Sequence, residues 1–249
     1  MVVALAVNAY FLYRIEPILA MSVKQLCLTD RGGRCRASLE MQGDESPCLI
    51  LFDRDLKDRA SLCLSSEGAP RLALSNREGT ARAELHTEPD GAPALIFRGT
   101  KGQDTVWLVT EGNDSPHLLL WKDNKVRTEL TAEPDGASNL LLNDLSGEDR
   151  MQFTVSPDGR PAARIRDKNG DKLAEWTSLE SDSARLTLGD IDSDNLVTLS
   201  AGPNGGAALR LRSPHNRNSE SLIATDHAAY ISETDEAGKT ETWPGGKKK

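Results

Sequence analysis

Aromatic residues make up only 4% of this 249-residue chain, which excludes a thick core built on large rings. Cysteine is scarce and confined to the early part, at Cys27, Cys35, Cys48 and Cys63. No two of these stand in Cys-x-x-Cys spacing and no histidine lies near them, which argues against zinc or another bound metal. Separate thiols are the expected state, with a disulfide left open if the chain is exported. An excess of positive charge is also missing. Thirty bases against 38 acids leave a net charge of −8, which argues against attraction to nucleic acid or to an anionic membrane surface. Neither a nucleophile elbow nor a Gly-rich phosphate loop occurs, and His86, His117, His215 and His227 are scattered, so no catalytic residue and no cofactor is assigned.

Present instead is a repeat. The pattern Pro/Ala-x-Leu-x-Leu-x-Asp recurs with starts at 24, 47, 70, 93, 116, 138, 161, 184, 207 and 229. The step is 23 residues except for two steps of 22, and such self-similarity is the signature of a repeat architecture. Within the repeat beginning at Pro70, Leu72 and Leu74 share one face of a strand, and Ala83 and Leu85 share one face of the next. Polar turns separate the strands. One class is Asp30-Arg31-Gly32-Gly33, Asn76-Arg77-Glu78-Gly79 and Asp167-Lys168-Asn169-Gly170; the other is Pro-Asp-Gly at 89–91, 134–136 and 157–159. Both suit hairpins, with Gly at the left-handed position. Pairing parity then puts Leu85 opposite Leu95 and leaves Arg82 and Glu84 on the outer face.

The expected fold is all-β: tandem 23-residue two-strand repeats forming a long curled antiparallel meander of about twenty strands, with a β-roll or solenoid as the alternative. Its apolar face must be covered by rolling up, by stacking, or by self-association with a second copy. The array spans residues 24–243. Before it, segment 1–23 carries the apolar run Val2 to Tyr13, which is short for a full membrane span; possible membrane contact is assigned to residues 2–21, as a signal anchor, a cap on the first repeat or a degenerate signal peptide. Residues 244–249 read as a flexible basic tail.

Two side-chain groups invite chemistry. Asp190 to Asn195 offers alternating carboxylates, yet Asn195 and Ala201 stand where an EF-hand needs Gly and Glu. Trp107 and Trp121 fall on the polar parity of neighbouring strands, as diagonal neighbours near His117. These three residues form the candidate binding patch, for a glycan or a protein partner.

The repeat resembles that of bacterial proteins with an N-terminal apolar anchor followed by tandem Asp-x-x-Gly-x-x-Arg-x-x-Leu β-repeats. The matching residues are Asp30, Gly33, Arg36 and Leu39, and Asn76, Gly79, Arg82 and Leu85; Leu173 and Leu196 depart from the pattern in place of Arg. The resemblance implies no activity and no catalytic residue. Anchor plus array leads to the expectation of a non-enzymatic scaffold, spacer or adhesion surface of the bacterial cell envelope.

Overall fold

Alternation becomes strand throughout the residues described by the computed structural model, which are 23–179, 183–189, 196–202, 206–213, 218–225 and 227–244. They divide into two units, one ending at Ala81 and one starting at Arg82. The first holds β1 (Gln25–Thr29), β2 (Cys35–Met41), β3 (Pro47–Phe52), β4 (Asp58–Leu64) and β5 (Pro70–Ser75). In the second, β6 (Ala81–Thr87, all but its first residue), β7 (Pro93–Arg98), β8 (Asp104–Thr110), β9 (Pro116–Lys122) and β10 (Lys125–Ala132) come first. Then follow β11 (Ser138–Asn143), β12 (Asp149–Val155), β13 (Pro161–Arg166), β14 (Lys172–Ser178) and β15 (Ala184–Leu188). The last five are β16 (Leu196–Ala201), β17 (Ala207–Arg212), β18 (Ser219–Ala224), β19 (Ala229–Thr234) and β20 (Thr240–Pro244).

Within each unit, consecutive strands pair antiparallel, which is the meander read from the repeats. A roll or solenoid would stack one coil on another. Among the described residues neither unit does so, because every substantial contact joins strands adjacent in sequence.

Turns set the register, and both turn classes share one hydrogen-bond pattern. Asp30 N–H donates to Arg34 O and Gly33 N–H to Asp30 O, just as Glu88 N–H donates to Ala92 O and Gly91 N–H to Glu88 O. The closing glycines sit at φ 77° and 90°, a region that a Cβ disfavours. After the Asp-type turn one extra residue is inserted. Phe52 pairs with Asp58 but Leu51 pairs with Ala60, so Arg59 is left over as a β-bulge. Arg36, Arg127 and Arg150 occupy the same place, and so do Thr105 and Leu173. The bulge shifts parity by one and keeps the leucines of both strands on one face. It also makes the repeat odd in length.

The two short steps have a local cause. At Asp123-Asn124 both residues have positive φ, and the turn between Lys122 and Lys125 holds two residues. Thr225 N–H donates to Ala228 O, one residue sooner than the usual span of four.

Direct pairing aligns the apolar residues into a row. In the first unit it runs Leu26, Leu39, Leu49, Leu62, Leu72. In the second it starts with Leu85 opposite Leu95, as parity requires, and continues through Leu108, Leu130, Phe153, Trp176 and Leu199 to Trp243. The row is not a covered core. Leu39 is 51% exposed and Leu108 49%, whereas the buried residues include Ser38, Cys48, Ile50, Ala94 and Ile96, all on the opposite face. With a single layer, cover comes only from neighbours on the same face. Leucines beside leucines leave each other half open, while long arginine, glutamate and tryptophan side chains lie over short ones.

The cysteine expectation is corrected by the register. Cys48 pairs directly with Cys63 across β3 and β4, and the two form a disulfide. Cys27 in the middle of β1 and Cys35 at the start of β2 form a second, and no free cysteine remains. Spacing along the chain hid this, since 15 residues of hairpin bring Cys48 and Cys63 to a Cα separation of 4.1 Å.

Candidate functional site

Three features could carry function: the leucine face, the Asp and Arg side chains of the turns, and the mixed face with its tryptophans. Local bonding accounts for the turn carboxylates. Asp30 Oδ1 accepts N–H bonds from Gly32 and Arg34 at 2.8 and 3.1 Å, and Asp53, Asn76, Asp144, Asp167 and Asp235 repeat the arrangement. The bulge arginines, and Arg82 near the start of β6, then reach the carbonyl at or just past the end of the neighbouring strand. Arg36 donates to Phe52 O, Arg59 to Ser75 O, Arg82 to Gly99 O, Arg127 to Asp144 O and Arg150 to Asp167 O. Several also meet their own turn aspartate, as Arg59 does Asp53 at 3.4 Å. Asp30 and Asp53 are held below the ordinary carboxylate range chiefly by backbone N–H donors, and Asp144 chiefly by Arg150. These groups tie hairpin to hairpin, which explains why Arg follows the turn Gly by three residues.

On the mixed face, Trp107 on β8 pairs with Ile96 and Leu119, and Trp121 on β9 with Val126. Their ring centroids lie 6.0 Å apart at 50°, as the diagonal relation implied. Both rings are half-buried rather than fully exposed. Each indole N–H is buried and has no hydrogen-bond partner among the described residues. His117 stands four residues from Trp121 on the same strand, about 13 Å along it, with Leu119 between. It lies 3.5 Å from Glu129 and 3.8 Å from Glu111. The tryptophans therefore form a pair, and the histidine belongs to a separate carboxylate neighbourhood.

Glu84 corrects the sequence reading of an outer-face residue. It is only 6% exposed, and Arg98 Nη1 donates to its carboxylate at 2.5 Å. Arg98 also reaches Asp104 at 3.0 Å, and the Glu84 hydrogen bond leads the causes that raise its pKa above the ordinary arginine value. His86 completes the cluster, 3.5 Å from Glu84 and 3.2 Å from Glu88. Parity placed Glu84 on this face but said nothing of its cover, because Arg98 comes from the next repeat.

The leucine face has its own charge pattern. Its strand residues from β11 to β17 are uncharged. Lys122 faces Lys125 at one hairpin end. Eight to ten strands further on, Glu220 faces Glu233, which in turn faces Glu241.

Among the described residues no group of three or more His, Cys, Asp or Glu could hold a metal ion, and no helix is long and apolar enough to cross a membrane. The calcium reading of Asp190 to Asn195, the apolar segment 2–21 and His215 lie outside the described residues.

No family model and no curated protein matches the chain. Among solved structures it is similar to the TCP domain of SAS-4 (dCPAP) of Drosophila melanogaster, solved in complex with a proline-rich motif of Ana2 (dSTIL). That likeness has a TM-score of 0.36 and 12% identity over 69% of this chain and 88% of the other.

Proposed function

We propose that the chain is a non-enzymatic structural or interaction protein of the bacterial cell envelope or surface, acting as scaffold, spacer or adhesion surface. The half-exposed apolar row on one open face carries this reading, because exposed apolar patches of more than a few hundred Å² mark association surfaces. The turn aspartates and bulge arginines, which a catalytic site would draw on, are engaged in joining hairpins. Export is supported by both disulfides, since such bonds persist in oxidising compartments. Expression in a bacterial host followed by fractionation and alkylation of free thiols tests it. The chain is expected in the exported or membrane fraction with all four cysteines resisting alkylation. Recovery from the cytosol with four reactive thiols overturns the envelope assignment.

The Trp107 and Trp121 pair supports a second reading, a glycan- or protein-binding module, because its two indole donors have no partner among the described residues. A glycan array read beside tryptophan fluorescence tests it. Binding should fall at least tenfold in the chain carrying Trp107→Ala and Trp121→Ala, and an unchanged array assigns the pair to packing alone.

A further inference from the structure

We propose that the leucine face of the second unit is covered by the same face of a second copy of this chain, related by a twofold axis parallel to the strands that reverses their order. The inference deepens the scaffold reading and rests on it.

The charges on this face set the register of the two copies. Lys122 and Lys125 are directly opposed across β9 and β10, and Glu220 and Glu233 across β18 and β19. Like charges directly opposed are unfavourable in a sheet, and none of these four has an ion-pair partner among the described residues. Within one chain the two clusters cannot relieve each other. Nine strand spacings put them about 43 Å apart, far beyond the roughly 8 Å over which charges interact at physiological salt. Both clusters nevertheless lie at the same end of their strands, since Lys122 ends upward-running β9 and Glu220 lies one residue into downward-running β18.

A twofold axis along β14 brings the lysines of each copy over the glutamates of the other. Between the clusters the two faces then meet with no charged strand residue from β11 to β17. The axis falls where Trp176, 48% exposed, stands opposite Ala163, a large side chain beside the smallest of the row. Overlap of about eleven strands, each about 17 Å long, covers on the order of 900 Å² per copy, against about 800 Å² per partner in a standard specific complex. A second copy is the occupant that supplies both the apolar strip and, at the right interval, the opposite charges. Self-pairing through one patch is how closed dimers form.

Sedimentation velocity on the full chain at micromolar concentration tests this. The unaltered chain is expected to be a dimer. Lys122→Glu with Lys125→Glu should weaken association at least tenfold, and adding Glu220→Lys with Glu233→Lys to that variant should restore it. Leu130→Glu with Leu199→Glu should give a monomer with an unchanged far-ultraviolet circular dichroism spectrum. A monomeric unaltered chain, a dimer indifferent to the charge reversals, or a monomer that floats with zwitterionic vesicles overturns the proposal. Any of these outcomes with the chain still exported leaves the scaffold reading standing, so the two failures are distinct.

Discussion

Loss of both disulfides is expected to release β1 to β5 while β6 to β20 keep their fold. The Cys48 and Cys63 link spans 15 residues of sequence, and a loop of that size restricts the unfolded chain by about 3 kcal/mol in the entropy model. Cys27 and Cys35 span eight and add a smaller amount. Five strands in a single layer have little else to hold them. Their leucine row is half open to water, so burial contributes only a fraction of what a two-layer domain of that size gains. The combined loss, roughly 3 to 5 kcal/mol, is comparable with the whole stability of many small domains.

Hydrogen exchange before and after reduction measures it segment by segment. Protection in β1 to β5 should collapse towards that of an open chain. Fluorescence supplies the control, because Trp107, Trp121, Trp176 and Trp243 all belong to the second unit and should report no change. Undiminished protection in β1 to β5 after full reduction would show that hairpin bonding alone suffices. Substitution should remove both partners, as in Cys48→Ser with Cys63→Ser, since Cys48 is buried and a lone hydroxyl there adds its own cost.

Removing the Arg150 guanidinium is the second large effect, expected to destabilise the second unit by about 2 kcal/mol. This side chain meets Asp144 Oδ2 through Nε at 2.7 Å and also through Nη2, and donates to the carbonyls of Asp167 and Lys168. Arg150→Ala leaves those two turn carbonyls without this donor and Asp144 without its cation. Arg150→Lys keeps the charge but not the planar fork, so it should recover less than half of the loss. Urea unfolding followed by tryptophan fluorescence gives the comparison, and an Ala variant as stable as the parent would mean that the bulge residue is dispensable.

Acid provides an independent readout of the same contact. Asp144 is held below its ordinary value of 3.8, first by Arg150 and then by the Glu148 and Ser146 amides. Because its folded pKa is depressed, its contribution is present in full above the unfolded value and disappears as pH falls through the folded one. The parent should therefore lose stability below about pH 4 more steeply than Arg150→Ala, in which the main cause of the depression is gone.

Most of the architecture was legible because each instruction is local. Leu72 and Leu74 with Ala83 and Leu85 show period two within a few residues, and Asp30 to Gly33 or Pro89 to Gly91 select their turns through backbone preferences that need no tertiary partner. The place of Arg82 was visible as a motif, but its reason was not. Its carbonyl partner at Gly99 lies 17 residues away, beyond the reach of any local pattern. The same holds for Trp107 and Trp121. Parity implied their closeness, while the Glu111 and Glu129 neighbours of His117 emerged only once the chain on either side was laid out.

By itself, then, the sequence determined a 23-residue unit, two hairpin turns per unit, antiparallel meander pairing and a leucine face, since all of these follow from neighbours along the chain. Only the tertiary structure decided that Cys27 joins Cys35 and Cys48 joins Cys63, that Glu84 is buried beneath Arg98, and that the leucine row is the more open face. Cross-strand register brings together residues that chain spacing separates. Burial in a single layer depends on the length of the side chains alongside, so small residues among arginines are covered and leucines among leucines are not.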